Sequence, residues 1–318
     1  MSLVQLMYSQ IDDIDQLVDN ALKMNLREFM QLTDNVAKLL TKENGIFGSL
    51  KITGRLIEAS PEGEATIIGD LHGDLDSLAK ILRASDFLEK TRRKELLKLI
   101  FLGDYGDRGA NSPEVYYVVL KLKMNFPENV VLMRGNHEGP VGLLPYPHDL
   151  PDHLRRGFGE KWQDAYGKLR ELFDQLYNVV IINGKCILLH GGVPSEAKSL
   201  DDLAYAHLKH PWESHLEEIL WNDPEESIFG TYPSPRGAGK LFGKDVTKEF
   251  LERFNANVLI RGHEPSDEGF KISHSGRILT LFSRKGEPYF NTNGAFLQFD
   301  LASSMRDAFQ LQGFVKLF

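Results

Sequence analysis

Three short strings of polar residues, each directly after an apolar run, hold side chains that can bind metals and transfer protons. They are Gly-Asp-Leu-His-Gly at 69–73, Gly-Asp-Tyr-Gly-Asp-Arg-Gly at 103–109 and Gly-Asn-His-Glu at 135–138. Two metal ions held close together activate water near neutral pH and neutralise the oxygens of a phosphate ester. Such a site needs a bridging carboxylate, histidine and oxygen ligands, an acid for the leaving group and arginine for the phosphate. The strings supply all these types in Asp70, His72, Asp104, Asp107, Arg108, Asn136 and His137.

The spacing of the strings is typical of alternating strands and helices. The apolar runs 66–68, 99–102 and 130–133 predict buried strands, and apolar residues three or four apart predict helices between them. Right-handed crossovers make such strands parallel, so their carboxyl ends share one edge of the sheet. Because ligands of open α/β sheets bind at that edge, we expect the three strings to form one site.

In this order the strings resemble the motifs of the phosphoprotein phosphatase family, of the protein phosphatase 1, 2A and calcineurin type, within the metallophosphoesterase superfamily. Four later strings resemble the same family: His-Gly-Gly at 190–192, Trp-Asn-Asp-Pro at 221–224, Arg-Gly-Ala-Gly at 236–239 and Arg-Gly-His-Glu at 261–264. One such string is weak evidence, but the ordered set is far more specific.

The resemblance implies a role for each matched residue. Two divalent metal ions would be bound, with Asp104 bridging them, by Asp70, His72, Asp104, Asn136, His190 and His263. A metal-bound hydroxide would attack directly, without a phosphoenzyme. His137 would protonate the leaving serine or threonine oxygen, Asp107 would orient the His137 ring, and Arg108 and Arg236 would bind the phosphate. Nitrogen and oxygen ligands suit Mn, Fe or Zn, and we expect Mn²⁺ to serve in vitro.

One loop departs from the family pattern. The family has Ser-Ala-Pro-Asn-Tyr-Cys-Gly here, but the strand ending at Phe282 is followed by Ser-Arg-Lys-Gly-Glu-Pro-Tyr. We interpret Tyr289 as a replacement for the tyrosine that reaches toward the substrate. The segment 139–151, rich in proline and glycine, also differs. It could reshape substrate access, but the interpretation we prefer is simple loop divergence. Trp221 is interpreted as a packing residue, and the remaining histidines, His148 among them, are assigned no role.

Composition narrows the class of protein. The 318 residues have a net charge of −8, which argues against a general nucleic-acid binder, since those proteins have a basic excess. The single cysteine, Cys186, excludes an internal disulfide and lies in an apolar strand, which predicts an inert core thiol. No apolar run approaches the ~18 residues of a membrane span, and no secretory leader is recognised. We therefore expect a cytoplasmic protein with no membrane partner.

The predicted fold is an α/β chain of the α+β sandwich class. We expect two mixed β-sheets flanked by helices in the calcineurin-like metallophosphoesterase fold, with the dinuclear metal site at strand ends. Apolar residues three or four apart over 11–40 predict one bent helix or two. Asn-Gly at 183–184 between two apolar runs predicts a hairpin. We divide the chain into a helical N-terminal lead-in, 1–45, packed on a catalytic domain, 46–318.

The function that follows is metal-dependent hydrolysis of phosphoserine and phosphothreonine in a phosphoprotein or phosphopeptide. An alternative is a dinucleoside tetraphosphatase or another metallophosphoesterase, because bis-nucleotide hydrolases share the first and third strings. The strings at 221–224 and 236–239 favour the protein phosphatase. A remote alternative is a catalytically inactive scaffold that binds phosphoproteins, although every ligand position is filled. The sequence does not identify a regulatory subunit.

Overall fold

The computed structural model describes residues 11–318, so the first ten residues of the predicted lead-in lie outside it. Within this range the helices are Ile14–Lys23 (α1), Leu26–Lys42 (α2), Leu75–Ala84 (α3), Phe87–Arg92 (α4), Ser112–Asn125 (α5), Leu150–Phe158 (α6), Trp162–Phe173 (α7), Leu200–Ala204 (α8), Ala206–Lys209 (α9), His215–Trp221 (α10) and Lys244–Arg253 (α11). Short 3-10 turns lie at Val141–Leu143, Gly159–Lys161, His274–Gly276 and Gln312–Phe314.

The strands form two large sheets and one small one. They are Gly45–Phe47 (β1), Leu50–Thr53 (β2), Leu56–Ala59 (β3), Glu64–Ile68 (β4), Leu97–Phe101 (β5), Val130–Leu132 (β6), Val179–Ile182 (β7), Cys186–Leu188 (β8), Asp223–Pro224 (β9), Thr231–Pro233 (β10), Lys240–Phe242 (β11), Val258–Arg261 (β12), Phe270–Ser273 (β13), Ile278–Leu281 (β14), Ala295–Asp300 (β15) and Val315–Leu317 (β16). The sheet orders are β1-β2-β3-β7-β8-β12-β14-β13, β16-β15-β4-β5-β6 and β10-β11-β9. The two large sheets contain parallel and antiparallel pairs, which confirms the predicted mixed sheets. The sequence does not predict the small sheet, because its strands are only two or three residues long.

The five-stranded sheet holds the predicted alternation of strands and helices. Strand β4 pairs in parallel with β5, and β5 pairs in parallel with β6, while α3 and α5 lie in the connections. Helix α3 begins after Asp74, whose side chain accepts a hydrogen bond from the Ser77 backbone N–H and so satisfies one free donor of the first turn. Helix α5 opens with Ser112 and Pro113, a residue whose fixed φ suits the first turn. The predicted parallel order is confirmed.

The central strands of the eight-stranded sheet are buried on both faces. In β7, Val180 and Ile182 join the large core beneath the five-stranded sheet, whereas Val179 and Ile181 join a second core with α8, α10 and α11. Successive side chains of a strand point to opposite faces, which explains why β7 is apolar at every position. Strands β7 and β8 form the predicted antiparallel hairpin, and Gly184 in its turn has a φ of 69°.

Helices α1 and α2 pack against the helical side of the five-stranded sheet. The apolar positions that predict them turn one face inward: Ile14, Leu17, Ala21, Phe29, Leu32, Val36 and Leu40 are buried. Helix α1 contacts α3 and α5, and α2 contacts α5 and α7. The pattern is thus two helices, not one bent helix. Among residues 11–318, no helix has both the length and the apolar character needed to cross a membrane.

A buried ion pair connects α2 to α5. Lys123 Nζ lies 2.8 Å from Glu43 Oε1, and the two side chains are 1% and 2% exposed. Lys123 also donates to the carbonyls of Pro127 and Val130, while the Tyr177 hydroxyl donates to Glu43 Oε2. Each buried charge therefore has a counter-charge and hydrogen-bond partners, the condition under which buried charges are tolerated.

Substituting Glu43→Gln should lower the free energy of unfolding by about 3–5 kcal/mol, because Lys123 would keep a buried charge without a counter-charge. Urea denaturation followed by circular dichroism measures the change. The matched control is Asp19→Asn, which breaks an ion pair with Lys23 whose side chains are 67% and 76% exposed. The control should cost less than about 0.5 kcal/mol. Equal costs for the two variants would contradict the expected energetic weight of the buried pair.

Burial raises the pKa of the Cys186 thiol to about 12. Because the thiolate is the reactive form, the thiol should not react with Ellman's reagent in the native protein at neutral pH, and should react fully in urea. Absorbance of the released thiolate measures both states. Fast labelling without denaturant would show that the thiol is accessible and contradict its place in the core.

Candidate functional site

The predicted metal ligands follow strand ends of both large sheets. They lie after β4, β5, β6, β8 and β12, in the order Asp70, His72, Asp104, Asn136, His190 and His263. A parallel bridge between Asp70 and Phe282 joins the end of β4 to the end of β14. The carboxyl edges of the two sheets therefore meet, and all six side chains lie at this meeting point.

Asp104 lies at the centre of the cluster. One carboxylate oxygen, Oδ2, lies 3.5 Å from His72 Nε2, and the other, Oδ1, lies 3.4 Å from His190 Nε2. The carboxylate thus presents a different oxygen to each of two histidine groups. This is the arrangement that a bridging ligand of two metal ions requires.

The other ligands surround Asp104 on two sides. Asp70 Oδ2 lies 3.8 Å from His72 Nε2, and both Asp70 oxygens accept from the His263 backbone N–H, at 3.0 and 3.1 Å. The Asn136 carboxamide lies 3.0 Å from His190 Nε2 and 3.1 Å from His263 Nδ1. The six predicted ligands therefore converge within one buried cluster.

The protonation of two histidines tests whether this cluster fits metal ions. The Nδ1 atoms of His72 and His190 lie 3.0 Å from the Gly106 carbonyl oxygen and 3.1 Å from the Leu102 carbonyl oxygen. A carbonyl only accepts hydrogen bonds, so Nδ1 must carry the proton and Nε2 holds a lone pair. Both lone pairs face carboxylate oxygens of Asp104. When the rings are neutral, acceptor faces acceptor in a buried site, and a metal ion between them would satisfy both, so the residues fit metal ions.

The electrostatics of the cluster lead to the same conclusion. Burial and repulsion from Asp104 raise the pKa of Asp70 to about 7. Burial and the neighbouring His137 lower the pKa of His72 to about 3. In the chain alone, Asp70 therefore resists ionisation and His72 resists protonation, whereas, although burial opposes it, the charge of Asp104 raises the pKa of His190. Bound cations would favour the deprotonated form of both ligands.

Backbone strain concentrates in the loops that hold the site. Among residues 11–318, eleven residues other than glycine have φ between 43° and 73°, in the left-handed region, and five of them lie in these loops: His72, Asp104, Asp107, Arg108 and His263. Such conformations cost about 1–3 kcal/mol each and occur mainly at functional sites. The motif glycines provide space, since a Cβ at Gly135 would collide with Asp104 Oδ1 and a Cβ at Gly262 with Asp70 Oδ1.

Glu138, the last residue of the third string, holds the loops after β5 and β6 together. Its Oε2 accepts from the backbone N–H groups of Asp104 at 2.8 Å and Gly135 at 3.1 Å. Its Oε1 accepts from the Tyr105 N–H at 3.0 Å and the Tyr116 hydroxyl at 2.6 Å. The sequence marks Glu138 only as part of a motif, whereas the structure shows that it positions Asp104.

The predicted acid pair lies next to the metal cluster. His137 Nδ1 forms a short hydrogen bond with Asp107 Oδ2, and both side chains are buried. Although burial opposes it, the charges of Asp104 and Asp107 raise the pKa of His137 to about 9 and favour the proton-donating form. His148, to which the sequence assigns no role, lies with Nδ1 2.7 Å from the same Asp107 oxygen. Its only sequence signal is its place in the divergent segment.

The predicted phosphate-binding residues line a cleft of about 380 Å³ beside the cluster. Arg108 Nε is buried and has no hydrogen-bond partner within residues 11–318. Arg236 Nε lies 2.5 Å from Asp223 Oδ2, and its side chain is 36% exposed. The Tyr289 ring stacks on the His72 ring, with centroids 5.5 Å apart. Arg108, Arg236 and Tyr289 thus surround the space where a phosphate would approach the metal ligands.

The structure adds contacts to two features that the sequence analysis interprets. The segment 139–151, interpreted as loop divergence, forms one wall of the cleft through Pro145 and Tyr146. Trp221, interpreted as a packing residue, packs edge-to-face on His263 with ring centroids 5.7 Å apart, and it also lines the cleft. Motifs and their spacing along the chain do not predict these contacts, because the contacts depend on how distant loops meet.

The comparisons with known proteins agree with this geometry. Residues 65–267 match the family model described as calcineurin-like phosphoesterase. The chain belongs to this family. A solved structure of a protein serine/threonine phosphatase from Saccharomyces cerevisiae superposes with a TM-score of 0.72 at 21% identity, covering 93% of this chain and 90% of that one. The predicted fold of the family is confirmed.

Curated relatives are serine/threonine-protein phosphatases. The chain is 34% identical over 220 residues to the catalytic subunit of serine/threonine-protein phosphatase 4 of Eremothecium gossypii, covering 69% of this chain and 67% of the relative. It is 35% identical over 232 residues to a relative named a probable serine/threonine-protein phosphatase, of Encephalitozoon cuniculi, covering 72% of this chain and 48% of the relative. The matches thus span from about half to about two thirds of these relatives' length. They confirm the resemblance to phosphoprotein phosphatases.

Substituting Asp104→Asn should remove most of the metal from the chain after loading with Mn²⁺, because one carboxylate faces both histidine groups. Gel filtration followed by elemental analysis should give about two ions per wild-type chain and fewer than about one for the variant. His207→Gln, at a partly buried histidine outside the cluster, is the control and should keep the wild-type content. An unchanged metal content in the Asp104 variant would show that this residue does not bridge.

Proposed function

We propose that this chain is a metal-dependent protein serine/threonine phosphatase that hydrolyses phosphoserine and phosphothreonine esters. The observation that carries the proposal is the bridging position of Asp104 between two histidine groups, at the floor of a cleft that also contains His137, Arg108 and Arg236. Metal-assisted hydrolysis of a phosphate monoester uses bound cations, an acid for the leaving group and an anion-binding arginine, and the cleft contains residues suited to each.

Each metal ion has a proposed set of ligands. Asp70, His72 and Asp104 would hold one divalent ion, and the other would be held by Asp104, Asn136, His190 and His263. When bound, the ions lower the pKa of water and neutralise the charge on the phosphate oxygens. The mixed nitrogen and oxygen ligands suit Mn, Fe and Zn, and metal availability decides among them.

His137 is proposed to protonate the leaving group. His137 Nδ1 donates to Asp107, and because the pKa of His137 is raised to about 9, the ring is also protonated on Nε2 at neutral pH, which is the proton that can be transferred. Nε2 lies 4.0 Å from Asp104 Oδ2 and therefore borders the metal cluster. As the P–O bond breaks, this proton moves to the serine or threonine oxygen, which leaves as a neutral alcohol.

Arg108 and Arg236 are proposed to bind the phosphate. The buried Arg108 Nε–H has no partner within the described chain, and a phosphate oxygen would satisfy it. Arg236 is oriented by Asp223, which also pairs with the buried Arg261. Tyr289 is proposed as the substrate-side tyrosine, since it stacks on His72 at the cleft.

The relatives support a phosphoprotein or phosphopeptide as the substrate, because they are named as serine/threonine-protein phosphatases. A dinucleoside tetraphosphate remains the alternative substrate to be tested. The cytoplasmic location, the lack of nucleic-acid and membrane partners, and the division into 1–45 and 46–318 stay predictions from the sequence.

The test compares two substrates on chain that is stripped with chelator and reloaded with Mn²⁺: a phosphothreonine peptide and diadenosine tetraphosphate. We expect metal-dependent release of phosphate from the peptide. His137→Gln should lower kcat about 10²–10⁴-fold, because the leaving alkoxide loses its acid. Asp70→Asn should lower activity through loss of metal, and His207→Gln, the control, should not.

Other results would replace the proposal. Hydrolysis of the dinucleotide alone would assign the chain to the dinucleoside tetraphosphatases. No hydrolysis of either substrate by metal-loaded chain, together with retained binding of the phosphopeptide, would support the inactive scaffold.

A further inference from the structure

The Asp107 carboxylate holds two histidines, and only one belongs to a family motif. Oδ2 accepts from His137 Nδ1 and lies 2.7 Å from His148 Nδ1. Oδ1 accepts from the Leu150 backbone N–H at 2.6 Å, at the start of α6. Both oxygens are therefore bonded by the divergent segment 139–151, which packs over the loop that contains Asp107.

His148 is itself fixed at both ends. Its Nε2 lies 2.9 Å from the Tyr166 hydroxyl on α7, and its side chain is 12% exposed. Since a carboxylate only accepts, His148 Nδ1 must carry a proton, and the Tyr166 hydroxyl lies within hydrogen-bond distance of Nε2. Although burial opposes it, hydrogen bonds from His137 and His148 hold the pKa of Asp107 below its usual value, so Asp107 is an anion.

Asp107 can orient His137 only if its own carboxylate is fixed. With a single partner, the carboxylate could rotate about its χ2 bond and tilt the His137 ring. Donors from His148 and from Leu150 approach its two oxygens and oppose this rotation. General acid catalysis depends on hydrogen-bond geometry, so a small displacement of the proton donor lowers the rate.

We propose that His148 is a positioning residue for proton transfer: it holds the Asp107 carboxylate so that His137 Nε2 points at the leaving oxygen. The inference rests on the proposed role of His137 as general acid. In the step, a water oxygen forms a bond to phosphorus, the bond between phosphorus and the ester oxygen breaks, and the proton on His137 Nε2 moves to that leaving oxygen. Asp107 and His148 keep the same number of protons throughout the step.

The alternative is that His148 only ties the segment 139–151 to the protein. The two explanations differ in their dependence on the leaving group. An alkoxide from phosphothreonine needs the proton, whereas p-nitrophenolate is a weak base and leaves without one. A defect in positioning therefore slows hydrolysis of the peptide selectively, while a defect in folding or metal binding slows hydrolysis of both substrates equally.

The experiment measures kcat and KM for a phosphothreonine peptide and for p-nitrophenyl phosphate, with Mn²⁺-loaded chain. His148→Leu, which has no donor, should lower kcat for the peptide about tenfold or more, with KM unchanged and less than about a threefold loss for p-nitrophenyl phosphate. His148→Asn, whose carboxamide N–H can replace Nδ1–H, should restore most of the peptide kcat. The ratio of the two kcat values does not depend on the fraction of folded enzyme, so partial misfolding cannot produce the effect.

His137→Gln and His207→Gln complete the design. His137→Gln should also lower kcat for the peptide more than kcat for p-nitrophenyl phosphate, and by a larger factor than His148→Leu does. His207→Gln should change neither kcat. Two results would overturn the positioning role while the proposed function stands. In the first, His137→Gln slows the peptide selectively but His148→Leu slows both substrates equally. In the second, His148→Asn and His148→Leu have the same kcat for the peptide. If the wild-type chain does not hydrolyse the peptide, or His137→Gln is not selective, the proposed acid role fails and this inference fails with it.

Discussion

The buried carboxylate of Asp104 is the feature on which the rest of the site depends. A buried charge is unfavourable unless it is compensated, and here each oxygen faces Nε2 of a histidine whose Nδ1 already donates to a backbone carbonyl. The arrangement is stable only with positive charge between the groups. The same requirement explains why the neighbouring Asp70 has a raised pKa and His72 a lowered one in the chain alone.

The protein holds this unfavourable arrangement with interactions at some distance from the metal ligands. Glu138 gathers backbone donors of the two loops that flank Asp104, and carbonyls of Leu102 and Gly106 fix the two histidine rings. The loops adopt left-handed conformations that isolated residues would avoid. The buried strands beneath them, of which β4, β5, β8 and β12 pair with a neighbour on each side, supply the packing that makes such strain tolerable.

The divergent segment 139–151 joins the metal cluster to the outer helices. It supplies one wall of the cleft, and His148 links Asp107 to Tyr166 on α7. This segment contains no motif and no periodic pattern from which its contacts could be predicted. A contact between residues 41 positions apart in the chain depends on how the loop folds back, which local patterns do not encode.

By itself, the sequence determined the alternation of β4, α3, β5, α5 and β6, the hairpin of β7 and β8 and the identity of the six residues that converge at the cluster. Hydrophobic periodicity, turn residues and ordered motifs are local, so they can be recognised along the chain. Only the tertiary structure decided that the edges of two sheets meet at Asp70 and Phe282, that Trp221 faces the cleft and that His148 contacts Asp107. These facts follow from the packing of distant segments, where burial and steric fit, not local propensity, determine which side chains meet.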